Sequence, residues 1–174
     1  DKTSNNYHST TFNNPTWGTR QNSGQGLVEN QTVLLSSLND QSTLEHDGTI
    51  NFNSCTINGP GKILVSGDLI FSEGCALSGD IDVVVQGNIT INSSTIGTSL
   101  TNNCVLYSNS DISINESTVY GIIICNGNSL RIMSSSTIFG AVYTQSSNTE
   151  IISSALTGSI VSKHSLSLIN SNLA

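Results

Sequence analysis

Four cysteines, three histidines and twelve carboxylates are the residues in this 174-residue chain that could do chemistry. Their spacing argues against most of it. No CxxC or Cys/His cluster exists, so zinc is not supported. Asp68, Glu73, Asp80, Asp82 and Asp111 are spread out with no dense DxDxDG run, which leaves calcium without a loop to hold it. His8, His46 and His164 lie near the start, the first turn and the last segment, too scattered for a Ser/His/Asp arrangement. Cleavage of polysaccharides would need paired carboxylates beside Arg or Lys in a groove. Arg131 is the one arginine beyond Arg20, so the expectation is a protein that is not an enzyme and carries no cofactor or metal.

The elements that carry these residues come from a repeat. Seven copies of one phrase run from Ile50 to the C-terminus: alternating apolar residues, a hydroxyl-rich corner, one apolar residue and usually a glycine. The apolar residue after each corner is Ile57, Leu77, Ile96, Val119, Ile138, Leu156 and Leu173, spaced by 20, 19, 23, 19, 18 and 17 residues. A period near 19 built from period-2 runs means stacked β-rungs. The fold class expected is all-β: a single-stranded parallel β-helix (β-solenoid) of about seven rungs with three faces each. Rungs stacked ~4.8 Å apart give a rod of roughly 33 Å.

Two domains of unequal kind are expected. Residues 1–26 lack periodicity and read as a polar arm or linker, and residues 27–174 as the solenoid. The arm holds Tyr7, Phe12 and Trp17, three of the chain's aromatic residues, which suits docking on the rod or on a neighbouring subunit. Val33-Leu34-Leu35 and Leu44 should form an irregular first rung. Ile63-Leu64-Val65, Val83-Val84-Val85 and Ile122-Ile123-Ile124 read as the other strand of their rungs, and Ile50/Phe52, Leu69/Phe71, Ile89/Ile91 and Ile112/Ile114 point inward. The 23-residue interval implies a loop inserted at residues 98–103.

Stacking turns equivalent residues into columns. Cys55, Cys75, Ser94, Ser117, Ser136, Ser154 and Ser171 share one, whose small members point inward at the corner. Cys55 and Cys75 are close enough there for a candidate disulfide, but parallel Cβ vectors strain such a bridge and favour two buried thiols. Cys104 falls on an inward position and Cys125 on an outward one. Thr56, Thr95, Thr118 and Thr137 form an outward ladder, a candidate surface-binding array; threonine's strand preference explains it equally. Asp68, Asn88, Asp111 and Ser129 precede the second strand as turn formers bonding their own backbone.

Lys and Arg total five against twelve Asp and Glu, for a net charge of −7, so no basic footprint exists for nucleic acid or an anionic membrane. No apolar run approaches the ~18 residues of a membrane span. A hydroxyl-rich surface with few lysines suits an extracellular or cell-surface protein, a mature form whose leader or anchor has been removed.

The rung phrase, seen as GKILVSGDLIF and GDIDVVVQGNITI, resembles the rungs of bactofilins and of β-solenoid domains in minor pilins and surface adhesins. That resemblance covers about residues 47–174 and implies a polymer-forming or surface-displayed structural protein. A β-helix end exposes unpaired backbone, and Leu166, Leu168 and Leu173 lie in the last rung. The expectation is a structural subunit of a filament, pilus or appendage whose partner is another copy of itself or another subunit. A monomeric adhesin binding glycan or a host surface, or a viral surface or fibre protein, is the alternative.

Overall fold

A computed structural model describes residues 23–38, 42–99, 101 and 104–174. These residues wind into a parallel β-solenoid in which every strand pairing is parallel and the only helix is one 3-10 turn, Leu35–Ser37. Tyr7, Phe12 and Trp17 lie outside the described residues.

Each rung has three faces. The second face is the most regular, stacking Ser23–Glu29, the end of Thr43–Asn53, Leu69–Ser72, Ile89–Asn92, Ile112–Asn115, Ser129–Met133, Asn148–Ile152 and Ser165–Ile169. Eight strands make seven turns of the coil. Pairing register aligns Val28, Phe52, Phe71, Ile91, Ile114, Ile132, Ile151 and Leu168 in one inward column. Period-2 alternation selects these residues, because in a strand every second side chain faces the same way. The apolar residues after the corners form another column on the third face, buried from Ile57 through Leu156.

A left-handed residue makes the corner between these two faces. Asn30, Ser54, Glu73, Ser93, Glu116, Ser134, Ser153 and Asn170 all have φ between 47° and 55°. The chain turns there, and the small member of the Cys/Ser column, pointing into the corner, follows directly after Ser54, Ser93, Glu116, Ser153 and Asn170 and one residue later after Glu73 and Ser134. Its hydroxyl closes the turn: Ser94 Oγ donates to Asn92 O at 2.7 Å, Ser117 Oγ to Asn115 O at 2.7 Å, and Ser154 Oγ to Ile152 O at 2.8 Å. The same oxygens accept from the preceding rung, as in Ser94 N–H to Ser117 Oγ at 3.0 Å. A left-handed backbone costs a non-glycine residue roughly 1–2 kcal/mol, most for β-branched side chains. Ser153→Val is therefore expected to lower stability by about 1–2 kcal/mol in urea unfolding, whereas Ser153→Gly leaves it unchanged or higher. Equal effects of the two substitutions would show that the turn does not depend on φ.

The solenoid begins at Ser23, four residues inside the stretch read as arm, because Ser23–Glu29 pairs in full with Asp47–Asn53. The first turn is the irregular one, with Leu35 and Leu38 buried around the 3-10 segment. The inserted loop is where the spacing put it. Ile96 is in register with Val119 and Cys104 with Gly121, so residues 97–103 span what Tyr120 alone spans on the next rung.

Candidate interaction surfaces

Glycine at the junction of the third and first faces controls how that junction is built. In the later rungs Thr118–Cys125, Thr137–Thr144 and Ala155–Ser162 run through it as continuous strands. Gly121, Gly140 and Gly158 stack in register there, each with φ of 137–152°. Continuity corrects one expectation. Alternation carries from Val119 through Gly121 and Ile123 to Cys125, which therefore points inward and is fully buried.

All four cysteines are buried free thiols, so the Cys55–Cys75 bridge is not formed. The two are stacked: the Cys55 N–H donates to Cys75 Sγ at 3.3 Å, and the thiols reach Val28 O and Phe52 O at 3.2 and 3.1 Å. The hydrogen bond between the two thiols splits them: with burial it raises the Cys55 pKa well above the usual thiol value, and it lowers that of Cys75 to about 6. Burial pushes Cys104 up to about 12. All four thiols are at most 1% exposed, out of reach of a bulky reagent, so an aromatic disulfide reagent should titrate no thiol in the native protein and four in denaturant. A fast-reacting thiol in the folded protein would contradict this packing.

The threonine ladder is outward and in register, and it starts one rung earlier than the sequence reading placed it, with Thr32 opposite Thr56. Ala76 and Ala155 interrupt it. The Asx column bonds the neighbouring rung and not its own backbone. Asn88 N–H donates to Asp68 Oδ1 at 2.7 Å, Asp111 N–H to Asn88 Oδ1 at 3.1 Å, and the Asn128 and Ser129 N–H groups to Asp111 Oδ1 at 2.7 and 2.9 Å. Each Oδ1 thus caps the next turn, a structural role for this column. Among the described residues no group of three or more His, Cys, Asp or Glu is placed to hold a metal. His46 is buried, its Nε2 3.0 Å from Thr49 O, and His164 is exposed in the last rung.

At the C-terminal end the inward columns emerge uncovered. Leu168 and Leu173 are 44% and 42% exposed, whereas Ile151 and Leu156, one rung below them, are 0% and 2%. Leu166 and Ile160 are half-buried against the core. At the opposite end the inward Val28 and Val33 are buried.

One feature of the first face escaped the sequence reading. Alternation puts Ile63, Val83, Leu106, Ile123 and Val142 inside, but the residues between the inward positions are apolar too. Leu64, Val84, Tyr107, Ile124, Tyr143 and Val161 form an outward column in register across six rungs. Val105, Ile122 and Ala141 extend it sideways. Along one edge an amide ladder binds the rungs together: Gln145 Nε2 donates to Asn126 Oδ1 at 3.2 Å, Asn126 Nδ2 to Tyr107 Oη at 2.9 Å, and Tyr107 Oη to Asn109 Oδ1 at 2.7 Å. The signal for this face lay in the unbroken triplets, since a strand apolar at every position is one with both sides covered. The outer second face is more polar, as in the column Asn51, Ile70, Thr90, Ser113, Arg131, Glu150 and Ser167, where Arg131 and Glu150 pair at 2.9 Å, and the outer third face adds one stacked aromatic pair, Tyr120 and Phe139, to its threonines.

Compared with protein-family models, curated proteins and solved structures, the chain matches none of them.

Proposed function

We propose that this protein is a non-enzymatic structural subunit of an extracellular filament, pilus or surface appendage, assembled by adding rungs to the end of its rod. The observation that carries this reading is the apolar exposure of Leu168 and Leu173. Leu168 and Leu173 continue inward columns that are buried one rung below and exposed here. A strand stacked on Ser165–Ile169 would cover these side chains. A first rung, or residues 1–22, of another copy supplies one. The bactofilin-like and pilin-like rung phrase points the same way by resemblance, and fold analogy alone does not decide function.

The test is mass against concentration by light scattering. Head-to-tail stacking is open-ended, so the mass of the wild-type protein should grow with concentration. Leu168→Lys with Leu173→Lys should stop that growth while leaving the circular dichroism spectrum intact. A wild-type protein that never grows, with or without residues 1–22, rules the reading out. Glycan binding lost on Thr95→Val and Thr118→Val would favour the adhesion module in its place.

A further inference from the structure

We propose that the apolar outer side of the first face is the contact through which two copies of this chain pair side by side into a closed dimer. This lateral contact is separate from end-to-end growth and stands without it.

The face is large, flat and free of charge at its centre. The outward column from Leu64 to Val161 carries no ionisable group except the phenols of Tyr107 and Tyr143, and Tyr143 and Val161 are 47% and 57% exposed. Strand preference alone does not account for it. Threonine satisfies the same backbone and is used on the third face, yet the first face uses Leu, Val, Ile and Tyr. Six rungs at ~4.8 Å and five residues at ~3.3 Å give a face of about 500 Å², apolar except for Lys62, Asp82 and Ser159 in the flanking column. A patch of this size lies toward the upper end of what single soluble chains expose, and such patches are often interaction sites.

Two arguments make the partner a second copy. The Leu64–Val161 column gives nothing to steer or hold a charged partner, Lys62 and Asp82 beside it are adjacent and opposite in sign, and on a chain of net charge −7 this is a side where two copies meet with little repulsion. Burying both patches removes about 1,000 Å², the lower limit for a specific interface. The column is also self-complementary. A two-fold axis between Tyr107 and Ile124 sets Tyr107 against the other copy's Ile124, and Val84 against its Tyr143. Each ring then meets a branched aliphatic side chain, and the amide ladder becomes the polar rim. The two sheets would pack at ~10 Å, as in a β-sandwich.

Sedimentation velocity of the full chain carrying Leu168→Lys and Leu173→Lys tests this with end growth blocked. A dimer that grows no further is expected. Adding Ile124→Lys, or Tyr143→Asp at its already half-exposed position, should weaken it by at least about 100-fold, because each copy then buries an unpaired charge. Thermal melts identify a variant that has merely lost its fold, and two variants at separate positions keep the test decisive. Three outcomes overturn the proposal: the end-blocked protein is a monomer at every concentration, both face variants dimerise like their parent, or a dimer forms only after residues 1–22 are deleted. The last would mean that the chain's own arm covers the face.

Discussion

Gly140→Ala is expected to destabilise the rod by about 3–5 kcal/mol, more than half the stability of many domains. A Cβ at this position would stand 1.9 Å from Gly121 O, a backbone atom of the preceding rung that no rotamer can move aside. Relieving the clash means separating rungs whose spacing is set by hydrogen bonds along the whole of Thr118–Cys125 and Thr137–Thr144. Conformation adds a second term, since φ at Gly140 is 142°. Gly74→Ala separates the two contributions. Gly74 has φ of 83° but nothing within 4 Å of a built Cβ, so it should cost only the ~1 kcal/mol of left-handed strain. Urea unfolding of the two variants checks the difference, and equal losses would mean that rung contact is not what requires glycine at Gly140.

This column also shows where sequence reasoning stops. Spacing and alternation are local, so they located the corner residues, the inward Ile and Phe columns and the inserted loop. Whether the chain breaks at a glycine depends on the rung beneath it. In Gly121 the requirement is closeness to Cys104 O, 1.9 Å from a built Cβ, and the strand runs on unbroken. An expectation that assumed a break put Cys125 outside; continuity puts it inside. The first rung was hidden for a related reason. Its apolar signal is weak because Gly26 occupies the position paired with Ile50, and the His46 ring fills the space, 2.8 Å from where a Cβ would stand. No pattern within Ser23–Glu29 can announce a partner supplied by Asp47–Asn53, further along the chain.

The candidate surfaces divide the same way. Leu168 and Leu173 could be named from the repeat, because they occupy the last members of its columns. Leu64, Val84 and Ile124 could not be assigned to a surface until their side of the strand was known, since in an unbroken apolar triplet either alternate set could face the core. Register decides it: Ile63 pairs with Val83, and both are fully buried. That leaves Leu64 and Val84 facing out. The apolar outer face is therefore a property of alignment between rungs, which no single rung displays.

Phe71→Ala is expected to cost about 3–5 kcal/mol, and its effect should be confined to part of the rod. Phe71 is fully buried, stacked on Phe52 with ring centroids 5.6 Å apart, and in register with Ile91 on the next rung. From Ile91 through Ile151 the column is isoleucine, so only the Phe52 and Phe71 rungs are filled by a ring. Truncation leaves a void that the stacked backbones cannot close, because their spacing is fixed by hydrogen bonds above and below. Phe71→Ile, which copies the later rungs, should lose less than half as much. In a solenoid each rung touches only its neighbours, so the weakened interface divides the rod into two parts of unequal stability. Hydrogen exchange should rise in residues 43–92 and stay slow in Ser129–Met133 and Asn148–Ile152, about three rungs away. Uniform acceleration along the chain would instead show that the rungs unfold as one cooperative unit, and the cost would then appear as a single lowered midpoint in every segment.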